Sequence, residues 1–422
     1  MDILAIITLL IVLSALFGYL NVRFLKLPET IGLMIIAIVF TLGIIGLGYF
    51  FPALAKEAEE VISQIDFKRA LLDIMLSFLL FAGALHTDFR SLRSQRGPIA
   101  VFATVGVLLS TFLVAGLTYG LLLLINYPID FIYCLLFGAL ISPTDPIAVL
   151  GILKKAGVPK KLETKIVGES LFNDGIGVVV FLTIFGIAAS GGEDIHGSEI
   201  LLLLVEEILG GIGLGLLLGW ITYRLLKTID DYAVEVMITL AIVMGGYWLA
   251  TQLHFSGPLA VVVAGLMVGH DRFRDTTMSE ITERYIDKFW ELIDVLLNAI
   301  LFVLIGLELI ILDFSGPYIL AGVLAIPIVL LARLAALYPP VKLFEKRLEF
   351  IPKTHWIMTW GGLRGGISIA LALALAPDME RNLILTMTYV VVVFSIIVQG
   401  LTVEKVVQRL QSRRSTGGST AS

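Results

Sequence analysis

The chain has 422 residues, 58% of them hydrophobic and only 15% charged, with a formal net charge of −5 and a mean hydropathy of +0.96. A soluble globular domain is roughly 45–50% apolar and about 25% charged, so a soluble fold, a disordered chain and a nucleic-acid-binding protein are all excluded. The single cysteine, Cys134, rules out an internal disulfide and lies within an apolar block, where nothing points to thiol chemistry.

The apolar residues gather in blocks of about 18–28, each long enough to cross the hydrocarbon layer as a helix. The alternating ten-residue stretches of a membrane β-barrel do not occur. An all-α polytopic membrane protein follows. In chain order, thirteen spans are predicted near 3–22, 28–50, 68–87, 97–126, 129–153, 162–190, 200–223, 231–252, 256–270, 288–311, 316–341, 354–376 and 382–404. The first begins at Met1-Asp2 without a basic run, which fits a retained helix better than a cleaved signal peptide.

Loop charge tests the count, because short cytoplasmic connections accumulate Lys and Arg. Alternate connections hold most of the 30 basic residues, among them Arg90, Arg93 and Arg96, Lys154 to Lys165, Arg272 to Lys288, and Lys342 to Lys353. The opposite connections hold Lys56, Lys68, Arg69 and Arg381 beside acidic runs such as Glu57–Glu60 and Glu193–Asp194. This places the N-terminus outside and the C-terminus in the cytoplasm, with 405–422 expected to be a short disordered tail. Arg333 and Arg364 fall inside predicted spans. A charge there costs about 2.5–3.5 kcal/mol on insertion scales, so each must face protein or water and find a partner.

Three spans contain residues unsuited to lipid. The fifth holds Ser142-Pro143-Thr144-Asp145-Pro146, where two prolines should break the helix and expose carbonyls beside a carboxylate. A proline kink alone would need no acid. The sixth holds Glu169, Ser170, Asn173 and Asp174, with Glu169 over Asn173 and Ser170 over Asp174 on successive turns. Helix-to-helix hydrogen bonding would explain Ser170 and Asn173 but not the acids. The twelfth holds Gly361-Gly362-Leu363-Arg364-Gly365-Gly366, a stretch expected to unwind or to let backbones approach closely. The fifth and twelfth spans run in opposite directions, as in an inverted repeat, where half-helix ends surround a mid-membrane ion site. Elsewhere, Gly211, Gly215 and Gly219 form a GxxxG series for close helix packing. The five histidines lie near helix ends without a metal-ligand spacing.

Asp145, Glu169, Asp174, Thr144, Ser170 and Asn173 offer hard oxygen donors, which suit Na+, Li+ or H+ rather than thiophilic metals. A carboxylate that holds either a proton or a sodium ion couples the two by competition. If the protein changes face only when the site is neutralised, exchange results without covalent chemistry.

SPTDPIAV, GESLFNDGIGVVVF and WGGLRGGISIALAL, in this order, resemble the signatures of the NhaP-type cation:proton antiporters, relatives of the Na+/H+ exchangers, over nearly the whole chain. The resemblance implies the inverted-repeat antiporter fold with broken, crossing fifth and twelfth spans. It implies Asp174 as principal carrier of the exchanged ion, with Asp145, Thr144 and Ser170 as further Na+ ligands. The Asn173-Asp174 pair matches electroneutral members, and Glu169 and Arg364 would form a buried ion pair between the sixth and twelfth spans. It further implies a homodimer, with no cofactor and a role in pH homeostasis, while the short tail is what favours a prokaryotic inner membrane. Within a single transmembrane domain, 1–404, a transport bundle (about 97–190 and 316–404) would move against a scaffold (about 1–90 and 200–311). Some archaeal members carry a glutamate where this chain has Ala82, so ion affinity does not transfer; Asp73 is a poor substitute, being distant along the helix. K+/H+ exchange and, from a different class, a cation channel remain as alternatives, while an intramembrane hydrolase lacks any Ser/His pairing at depth.

Overall fold

A computed structural model describes residues 3–63, 69–145, 158, 160–190, 197–270, 279–312, 315–345 and 353–412. Among these, every regular element is helical, and nine helices are long and apolar enough to cross a membrane. The shorter helices Ala70–Leu85, Phe131–Ile141 and Gly257–Val268 correspond to the third, fifth and ninth predicted spans. The twelfth is divided into Thr354–Trp360 and Gly366–Leu373. The protein is thus an integral membrane protein built as the sequence predicts, with two helices that hydropathy did not mark: Pro52–Ser63 and Phe89–Ser94. The last helix, Gly400–Ser412, carries helical structure into residues expected to be a tail. Pro146, the rest of the fifth span, the loops with Lys68, Lys154, Glu193, Arg272 and Lys346, and the tail from Arg413 lie outside the described residues, as does the side chain of Asp73.

The chain forms two compact units. The first comprises Met1–Phe89, Glu193–Ile319 and Gly366–Thr386. Its core centres on Trp290, whose ring lies 4.6 Å from that of Phe81 and whose Nε1 donates to Thr239 Oγ1 at 3.1 Å. In lipid the apolar effect does not drive helices together, so small residues and interhelical hydrogen bonds do that work. Accordingly Gly211, Gly215 and Gly219 face the helix Gly257–Val268 and its Ser256 cap, where a Cβ would overlap Ser256, Ala260 or Met267. The GxxxG series serves close packing, as predicted.

The second unit comprises Arg90–Gly192, Leu320–Gly365 and Met387–Ser422. Gly138 of the fifth span lies against the Thr111 carbonyl of the fourth, leaving no room for a Cβ. The eleventh span, Gly316–Glu345, stays helical through Pro327, Pro339 and Pro340. The fifth does not: its helix ends at Ile141 and residues 142–145 are not helical.

Candidate functional site

Breaking a helix in lipid exposes carbonyls and N–H groups that water cannot satisfy, at several kcal/mol each if left unpaired. In the second unit the two interrupted helices satisfy each other. The Asp145 N–H donates to the Leu363 carbonyl at 2.8 Å. In return the Arg364 guanidinium donates to the carbonyls of Ser142 and, at 2.8 Å, of Pro143. The Arg364 N–H is itself taken up by Ser395 Oγ at 2.9 Å, and Gln399 Nε2 donates to the Trp360 carbonyl at 3.0 Å. Ser395 and Gln399 bound a π-helical turn in the thirteenth span, an irregularity often found at functional sites.

The sixth span, Lys160–Ala189, runs unbroken past this crossing. Asn173 grips Thr144 at two points: its Nδ2 donates to Thr144 Oγ1 at 2.9 Å and its Oδ1 accepts from the Thr144 N–H at 3.3 Å. Thr144 Oγ1 also lies 3.0 Å from Ser170 Oγ. Below Thr144, Ser142 Oγ lies 2.7 Å from the Gly138 carbonyl and 3.0 Å from Ser110 Oγ. Asp174 is buried, and its carboxylate is close enough to Asp145 to interact electrostatically. No hydrogen bond or ion pair joins the Asp174 carboxylate to the described residues. Thr144, Asp145, Ser170, Asn173 and Asp174 are therefore brought together.

The glycines of the twelfth span make this possible by their size. A Cβ on Gly365 would overlap the Asp145 side chain, and one on Gly362 would overlap the Arg333 guanidinium. Likewise Gly177 of the sixth span leaves room for the Pro143 ring.

One expected contact is different. Glu169 makes its ion pair with Arg333 of the eleventh span, Nη1 to Oε1 at 3.0 Å, and not with Arg364. The reason lies in the guanidinium of Arg364, which is committed to the two carbonyls freed by the break at Pro143. Arg364 remains near enough to both Glu169 and Arg333 to interact electrostatically. The second nitrogen of Arg333 in use, Nε, donates to the Met358 carbonyl at 3.4 Å. Arg333 stood out in the sequence as a charge inside a span; its pairing could not be read there because it lies 164 positions from Glu169 along the chain. Ser395 and Gln399, also missed, carry the weaker signal of polar residues in an apolar run.

With its membrane-spanning helical fold and broken-helix crossing, the protein is a secondary transporter of the exchanger type rather than an enzyme, as its family shows. The chain belongs to the sodium/hydrogen exchanger family, whose transmembrane model matches residues 11–409. It is 51% identical to the Na+/H+ antiporter NhaP of Pseudomonas aeruginosa over 95% of each chain. It is 36% identical to the Na+/H+ antiporter NhaH of Halobacillus aidingensis, over 92% of this chain and 93% of that one. The solved structure of the sodium proton antiporter MjNhaP1 from Methanocaldococcus jannaschii at pH 8 shares the fold, with a TM-score of 0.75 at 21% identity, covering 98% of this chain and 99% of that one.

Proposed function

We propose that this protein exchanges Na+ or Li+ for H+ across a prokaryotic inner membrane, by alternating access and without net charge movement. The observation that carries the reading is the Asp174 carboxylate, buried beside Asp145 and unpartnered by any described residue, at the point where two interrupted helices meet. A carboxylate so placed is a poor resident charge and needs either a proton or a cation to neutralise it. Asp145, the Thr144 hydroxyl and Ser170 supply further oxygen ligands. Asn173 holds Thr144 in place, the Glu169–Arg333 pair braces the sixth span, and Arg364 holds the broken fifth. The antiport named for the relatives of this chain agrees with this chemistry.

Competition follows directly. The protonated site first loses its proton on one side and Na+ then takes its place; a proton arriving from the other side expels Na+. A bundle of about 97–190 and 316–404 carries the site and moves against a scaffold of about 1–90 and 200–311, through which two copies associate. Thr144, Asp145, Ser170 and Asp174 all belong to the second unit, whereas Gly366–Thr386 clusters with the first. Loop charges favour an external N-terminus and a cytoplasmic C-terminus.

The test uses proteoliposomes with an imposed pH gradient and an internal pH dye. Addition of Na+ or Li+ should dissipate the gradient at a rate unaffected by an imposed membrane potential. Asp174→Ala should abolish this, and Asp145→Ala should reduce it at least a hundredfold. Dissipation by K+ alone would reassign the cargo, and cation flux that follows voltage without proton movement would replace exchange by a channel.

A further inference from the structure

A cavity of about 640 Å³ lies in the second unit where the fourth span begins and the eleventh ends, and the ion site does not involve it. Arg90 and Arg93 reach it from the short helix Phe89–Ser94, Arg96 from the first turn of the next helix, and Pro98 and Phe344 form an apolar wall. Gly97 lies beside the Phe344 ring, so the two chain segments meet at the cavity. All three arginines are exposed. Among the described residues, neither Arg93 nor Arg96 has a carboxylate partner.

Basic residues at the end of a span are ordinarily explained by topology alone. Three features go beyond that explanation. The positive charges converge on one open, shallow concavity rather than being spread along a loop. They are all arginine, although the next connection on the same side, 154–165, uses only lysine, and the guanidinium fork matches two oxygens of a phosphate where an ammonium does not. Finally, the volume is that of a small-molecule site, larger than a bare phosphate fills, and one wall is apolar.

We infer that this cavity binds the phosphate-bearing headgroup of an anionic phospholipid, with Arg93 and Arg96 holding the phosphate and Phe344 and Pro98 lying against the glycerol and the first acyl carbons. Its position fits, since both helices end there at the boundary where headgroups lie, and basic pockets between spans on the cytoplasmic side take such lipids. The assignment is independent of the transport reading.

The experiment follows lipid retention by native mass spectrometry and melting of the purified full-length protein in neutral detergent. Phosphatidylglycerol should be retained over phosphatidylcholine and should raise the melting temperature. In R93Q/R96Q, retention should fall about tenfold or more, with the lipid-free melting temperature unchanged. R93K/R96K should fall between the two, and R224Q/K227Q, which removes two charges from the other unit, should bind as the parent does. Equal retention by R93Q/R96Q, or an equal loss in R224Q/K227Q, overturns the site. Inorganic phosphate at matched ionic strength should not raise the melting temperature; equal protection would reassign the cavity to a free anion and overturn the lipid. If R93Q/R96Q does not fold, a photoreactive phosphatidylglycerol decides on the parent protein, with adducts at 89–101 or 341–345 supporting the proposal and adducts confined elsewhere refuting it.

Discussion

Arg333 and Arg364 are both buried arginines in apolar spans of the same unit, yet they do different work. Arg333 neutralises an acid, Glu169, from an intact helix. Arg364 sits in an unwound stretch and closes the backbone of another broken helix, through the Ser142 and Pro143 carbonyls. The lesson is that a buried charge in a membrane protein need not seek an opposite charge. Freed carbonyls present enough partial negative charge to hold a guanidinium, and a helix break supplies them in the right number.

The largest effect should come from leaving a charge behind. Arg333→Ala strands Glu169 and should cost about 3–5 kcal/mol, read as a large fall in melting temperature in detergent. The added substitution Glu169→Gln should recover much of it. The same cycle run on Glu169 and Arg364 should show weaker coupling; equal coupling in the two cycles would erase the distinction between the arginines. Arg364→Ala leaves no uncompensated acid but orphans two carbonyls, and should cost less, about 1 kcal/mol for each. Arg364→Lys should restore only part, since one ammonium cannot match the fork. Ser395→Ala should be milder, about 1 kcal/mol, for the single Arg364 N–H it leaves without an acceptor. Stability in S395A equal to the parent would mean that the π-helical turn does not position Arg364.

The glycines sharpen the contrast without touching charge. Gly362→Ala crowds Arg333, and Gly365→Ala crowds Asp145. The first should therefore lower the melting temperature more than transport, and the second should lower transport more than the melting temperature. Similar profiles for both would show that the stretch needs glycine for its backbone path alone.

The same unit contrasts two sets of prolines. Pro143 marks the end of a helix, whereas Pro327, Pro339 and Pro340 lie within one. Residue type does not separate these cases, because a spanning helix tolerates proline when neighbours take up the freed groups. What distinguished the fifth span in the sequence was the carboxylate beside its prolines. An acid at depth is too costly to be incidental, and the same logic singled out Glu169, Asp174, Arg333 and Arg364.

Hydropathy and loop charge were enough to count the spans, since the length of an apolar run and the cost of a charge in lipid are local quantities. The break at Pro143, the unwound glycines and the oxygen-rich turn of the sixth span were legible for the same reason. The helix Pro52–Ser63 was not, because its polar and apolar residues balance and no run marks it. Pairing was beyond reach: whether Glu169 meets Arg333 or Arg364, and whether Ser395 or water receives a buried N–H, depends on which helix lies beside which. That choice is made by packing, where a missing Cβ at Gly362 admits one guanidinium and the carbonyls of a distant break have already engaged the other.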